Sequence, residues 1–126
     1  MRRILKLLGV IALFAFLIYY CFNNFFSKRS IVGKYVNRNF YNSPPLPEIP
    51  SCPDTLTLFE NNRFYSKYWG NGSYKINTTI GGTAITLFYG DKFGEGALTT
   101  VIKRLNFGKP KIILSFDQNR FYQKLD

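Results

Sequence analysis

The chain has 126 residues, 46% hydrophobic and 18% aromatic, with a formal net charge of +10, no His and two Cys. That length allows one small domain, and the missing His and scarce Cys exclude the commonest general base, a disulfide framework and a Cys-rich zinc site. A charge of this size points to nucleic acid only where it is gathered on the domain; here Arg2, Arg3, Lys6, Lys28 and Arg29 supply +5 before residue 31, and twelve Lys/Arg against seven Asp/Glu leave +5 spread after it.

From Leu7 to Phe22 no charge interrupts the chain. With Ile4–Lys6 before it and Asn23–Phe26 after it, the run reaches the about 20 residues that a helix needs to cross the hydrocarbon. Lys6 can snorkel to the headgroups, and Tyr19, Tyr20, Phe25 and Phe26 sit where an aromatic belt lies. A cleaved signal peptide needs small residues of A-x-A type before the cut, and the residues from Tyr19 to Asn24 offer none. Lipidation at Cys21 would want a small residue before it, and Tyr20 stands there. The run is therefore expected to be an uncleaved signal anchor over residues 1–27, touching the membrane through residues 4–26. Arg2, Arg3 and Lys6 on one side nearly balance Lys28, Arg29, Lys34 and Arg38 on the other. A short basic tail stays inside, so residues 28–126 are expected on the non-cytoplasmic side.

Residues 31–126 read as all β, with short apolar, β-branched and aromatic runs punctuated by Asn and Gly. The expected strands are Ile31–Asn37, Asp54–Glu60, Arg63–Trp69, Gly72–Asn77, Ala84–Tyr89, Leu98–Arg104, Lys111–Phe116 and Arg120–Leu125. A three-residue loop after Leu58, with Asn62 left-handed, pairs Leu58 with Phe64. A turn at Gly70-Asn71-Gly72 would then pair Tyr68 with Tyr74 and set Ile76 opposite Ser66. Ile85, Leu87 and Tyr89 share a face, as do Ile112, Leu114 and Phe116. A tight hairpin is expected to pair Phe116 with Phe121 and bring Asp117 near Arg120. Successive hairpins make an antiparallel meander, and closure into a barrel of about eight strands removes the edges. Between the first two strands, Arg38–Pro53 carries Pro44, Pro45, Pro47, Pro50 and Pro53, an extended excursion expected to lid one barrel end. Cys52 lies in it and is expected to be a free thiol.

Gly33-Lys34-Tyr35 resembles the G-x-W opening of lipocalin-type barrels, with Tyr in place of Trp. The block from Leu56 to Phe64, followed by Gly70-Asn-Gly-Ser-Tyr74-Lys-Ile76, is similar to the pattern of small lipocalin-like domains in membrane-anchored or secreted bacterial proteins. The resemblance implies an all-β meander barrel. It carries no ligand or activity with it, because fold does not confer function.

Candidate chemistry is sparse. Asp91 and Glu95 flank a Gly-rich loop that could hold a cation or act as an acid/base pair, but the loop has too few oxygen ligands and reads as a solvated hairpin. Asp54 and Glu60 bracket a strand and read as turn caps. No hydroxyl has an identifiable base beside it, so no catalytic residue, metal or cofactor is assigned. On the inner face, Tyr68, Tyr74 and Tyr89 stand beside Leu56 and Phe64, a set suited to a small amphipathic ligand if the barrel is hollow. On the outer face, Phe59, Tyr65, Lys67 and Trp69, with Arg63, Lys75 and Phe88 near them, interleave aromatics with cations and would suit a partner surface. The expected function is a membrane-anchored, non-enzymatic module binding a protein partner or a small apolar ligand, and not nucleic acid. Two other readings are a structural or immunity-type protein acting by surface contact, and an enzyme using the Asp91/Glu95 loop.

Overall fold

The computed structural model describes residues 1–40, 49–50, 52–90, 94–104 and 108–125. Asp91 and most of the proline-rich excursion lie outside them. Helix α1 runs over Arg2–Asn24 and is long and apolar enough to cross a membrane. Its side chains are exposed from Arg2 to Tyr19, so the barrel covers none of that length. Ser27 then caps a four-residue turn, α2 (Lys28–Ile31), by accepting the Ser30 N–H.

Eight strands follow: β1 (Gly33–Arg38), β2 (Thr55–Leu58), β3 (Arg63–Ser66), β4 (Gly70–Thr79), β5 (Gly82–Tyr89), β6 (Gly96–Lys103), β7 (Lys111–Ser115) and β8 (Arg120–Lys124). Each pairs antiparallel with the next, and β8 returns to β1, so the sheet is a closed barrel. This is the meander expected from the hairpin spacing. Closure gives every strand a neighbour on both sides, the shortest seam being β6–β7, with Ile102 opposite Ile112 and Lys103 opposite Lys111. Alternation fills the inside: Thr83, Ile85 and Leu87 are buried on β5 while Ala84 and Thr86 are less so.

Asn62 adopts φ 63°, and Leu58 pairs with Phe64 as the loop length requires. The next turn departs from expectation. Ser66 pairs with Gly70 and Phe64 with Gly72, so the turn is Lys67–Trp69, and Ile76 faces Ile85 rather than Ser66. Gly72 explains the shift. A Cβ there would stand 2.5 Å from the Phe64 ring and 2.3 Å from the Phe88 carbonyl oxygen, so this glycine serves as strand beneath a ring. Gly70, at φ 80°, closes the turn instead. Ser66 Oγ accepts the Trp69 N–H at 2.8 Å, and Asp54 Oδ1 accepts the Tyr68 N–H at 3.2 Å. The consequence is large: Trp69, expected outside, is 1% exposed inside the barrel, and Tyr68 leaves the strand for the turn.

The last hairpin also shifts. Ser115 pairs with Arg120 and Ile113 with Phe121, across a bulge at Leu114, and Asn119 takes the left-handed position. Phe116 therefore does not pair with Phe121; it stands 69% exposed, with Lys103 Nζ 5.9 Å from its ring centre. Arg120, expected in an exposed turn beside Asp117, is buried on the same strand as Tyr122, and Asp117 is exposed.

The helix joins the barrel through its own chain end. The last carbonyls of a helix have no partner within it. Here the Phe22 carbonyl accepts from Arg104 Nη1, that of Asn23 from the Arg104 N–H, and that of Asn24 from Thr83 Oγ1, each at 2.8 Å. The Arg104 guanidinium also lies over the Phe22 and Phe26 rings, at 4.4 and 4.5 Å. A cation at a helix C-terminus complements the dipole as well as the orphan oxygens.

Candidate functional site

Three of the expected inner-face residues, Tyr68, Tyr89 and Phe64, surround one indole. Trp69 stacks on Tyr89 with ring centres 6.3 Å apart, and meets Tyr68 at 5.3 Å, Tyr122 at 5.9 Å and Phe64 at 6.5 Å. Leu56, Phe64 and Tyr74 are buried in the same core, while Tyr68 and Tyr89 are half-buried against it. The Tyr74 hydroxyl donates to the Phe59 carbonyl at 2.5 Å, and that of Tyr35 donates to the Ile31 carbonyl. Both phenols have their ionisation pushed up by burial. Trp69 thus fills the interior beside Tyr68, while Tyr74 lies toward the other end of the barrel, at the β2–β3 turn. Tyr74 and Tyr35 spend their hydroxyls on the protein's own backbone.

One end of the barrel holds a buried carboxylate that the sequence presents only as a turn cap. Asp54 Oδ2 accepts the Tyr122 hydroxyl at 2.5 Å while Oδ1 takes the Tyr68 N–H. Asn37 completes the cluster: its Oδ1 accepts the Asp54 N–H at 2.7 Å and its Nδ2 donates to the Cys52 carbonyl at 2.6 Å. Burial, then the Asp54 carboxylate, raises the Tyr122 phenol well above its ordinary value. A charge buried this way needs its bonds filled, and both oxygens are engaged in joining β2, β8 and the β3–β4 turn. Cys52 itself is exposed and free, as expected.

Outside this cluster lies a groove of about 810 Å³ lined by Val36, Arg38, Phe40, Pro53, Tyr65, Lys67 and Leu125 among others. The register makes it. Val36 pairs with Thr55 and Thr57 with Tyr65, so the outward side chains of β1, β2 and β3 lie in a row. Two of the expected partner-surface residues, Tyr65 and Lys67, fall in it. Tyr65 is 46% exposed. Pro53, Asp54 and Lys67 also line a second recess of about 340 Å³ with Pro50, Cys52 and Tyr68. Phe59 is exposed but stands at the opposite end of β2, in the β2–β3 turn, and Phe88 and Lys75 lie on β5 and β4 outside the groove lining. Glu95 is exposed, and its expected companion Asp91 is outside the described residues.

Arg38, Phe40 and Leu125 were missed from sequence. Arg38 and Phe40 sit next to the proline-rich stretch, and Leu125 is nearly terminal. Only barrel closure, with Arg38 beside Phe121 and the Leu125 N–H bonded to the Lys34 carbonyl at 2.9 Å, brings them to Tyr65. The chain is thus a closed eight-stranded antiparallel barrel behind a helix of membrane-spanning length, with an aromatic and cationic groove on its flank. No protein-family model, curated protein or solved structure matches it.

Proposed function

We propose that the protein is a membrane-anchored, non-enzymatic binding module whose flank groove docks an extended segment of a protein partner carrying apolar and acidic side chains. The observation that carries this is the groove itself. Arg38 and Lys67 border an apolar floor of Val36, Phe40, Pro53 and Leu125 beside the exposed ring of Tyr65. Such a lining suits acidic side chains at its edge and apolar ones on its floor. The packed interior favours this surface over a ligand inside the barrel. The sequential order β1 to β8 and the Gly33–Tyr35 opening support a lipocalin-like barrel. The short basic tail of Arg2, Arg3 and Lys6 supports a non-cytoplasmic barrel, and the similarity to small bacterial lipocalin-like domains supports a cell envelope; a reporter fused at the C-terminus tests the side, and cytoplasmic signal overturns it.

The test of binding is a photo-crosslinking amino acid placed at Tyr65 or Phe88 in the full chain in its membrane. A discrete adduct from position 65, absent from position 88 and lost with Lys67→Glu, supports the groove. Equal adducts at both positions, or none at 65, overturn it.

A further inference from the structure

The β4–β5 hairpin descends beside the last turn of α1. Thr83 bonds to the Asn24 carbonyl, and at the hairpin tip the Ile80 carbonyl accepts the Tyr20 hydroxyl at 2.9 Å. Tyr20 lies four residues before Asn24, about 6 Å further into the helix at 1.5 Å per residue. Gly82, at φ 125°, makes the bend that sets the hairpin beside Asn24, a backbone conformation that favours glycine. The tip delivered there is Ile80, 94% exposed. A large β-branched apolar side chain at a hairpin tip has nothing to gain from water. At the depth of Tyr20 it meets the interfacial zone where the ring of a belt tyrosine sits.

The charges follow the same axis. At the helix-proximal end, α2 and the loops carry Lys28, Arg29, Arg63 and Lys109 exposed, against Glu60 alone among the described acids. At the far end, Arg38, Lys67 and Arg120 are matched by Asp54, Glu95 and Asp117 among the described residues. The barrel thus turns its positive excess toward the end where the helix leaves it. Clustered Lys and Arg next to a membrane span are drawn to anionic headgroups.

We infer that the helix-proximal end of the barrel is a seat on the lipid surface. Ile80 enters the interface beside Tyr20, while Lys28, Arg29, Arg63 and Lys109 face anionic headgroups. This rests on α1 crossing the membrane, and it adds a second contact that sets the tilt of the barrel.

The test uses the full chain with Cys21→Ser and Cys52→Ser, and one new cysteine from Leu13→Cys, Ile80→Cys or Asp117→Cys. Each carries a polarity-sensitive fluorophore and is reconstituted in phosphatidylcholine vesicles, with or without phosphatidylglycerol, containing spin-labelled lipids. Trp69 emission reports that each variant is folded. Position 13 is expected to be quenched by deep labels, position 80 to be blue-shifted and quenched by shallow labels, and position 117 to be neither. Quenching at 80 is expected to strengthen with phosphatidylglycerol and weaken with salt. If position 13 is quenched and position 80 behaves like 117, the seat is wrong and the anchor stands. If position 13 is not quenched, the anchor reading fails and the seat falls with it. Quenching at 80 that ignores both phosphatidylglycerol and salt overturns the role of the basic residues.

Discussion

The two ends of this barrel are closed by different means. At the end away from the helix, an indole, three phenols and a carboxylate pack together, with Asp54, Tyr122 and the Tyr68 backbone bonded to one another. At the other end the closing groups are the orphan carbonyls of α1, met by Arg104 and Thr83. The first closure draws on burial of the domain's own side chains. The second needs the helix: Arg104 and Thr83 exchange hydrogen bonds with it that they would otherwise give to water. So α1 is also a structural part of the barrel, and the two ends should fail differently.

The largest difference is expected from Trp69→Ala. Removing an aromatic that four rings surround costs about 3–5 kcal/mol, read as a collapse of thermal stability by circular dichroism. A variant close to wild type would mean that the far end is not held by its aromatic core. Tyr122→Phe leaves the buried Asp54 carboxylate short of one donor and is expected to cost about 1–3 kcal/mol.

The same phenol gives a pH test. Burial raises Tyr122, Tyr35 and Tyr74 above their ordinary value, so the folded chain keeps protons that the unfolded chain releases. Stability is then full below the free phenol value of about 10 and falls as pH rises past it. Tyr122→Phe should make that alkaline fall shallower. A fall of unchanged steepness would show that Tyr122 titrates alike in both states.

At the helix end, Arg104→Ala removes one carbonyl partner and two ring contacts, and is expected to cost about 1–2 kcal/mol. It should speed amide exchange at the β4–β5 tip and in the last turn of α1 while leaving the Trp69 region protected. Uniform loss of protection at both ends would erase the contrast. Smallest of all is Tyr65→Ala, an exposed change expected within about 0.5 kcal/mol of wild type yet sufficient to abolish partner capture. A large drop in stability would make Tyr65 a structural residue.

Much of the architecture was legible along the chain. The apolar run of α1, the eight strands and the Asn62 turn follow from local patterns. The candidate site was legible only in part. Tyr65 could be placed outside because it lies on β3 before the turn, and Lys67 opens the turn and stays exposed, whereas Trp69, at the end of that turn, is carried inside. Gly70-Asn71-Gly72 has the composition of a turn, and nothing within it says that Gly72 must lie under Phe64.

The sequence by itself therefore determined which segments are helix and strand, because apolar periodicity and left-handed Asn act within a few residues. Tertiary structure decided which side of the sheet Trp69 faces, because the turn position depends on Phe64 packing over Gly72 on the neighbouring strand. It likewise decided where the charge goes. Along the chain the domain's +5 shows no cluster. Once antiparallel strands return alternate turns to the same end, Arg63 and Lys109 gather beside Lys28 and Arg29 where the helix ends, since proximity in a closed barrel is set by strand pairing and not by sequence distance.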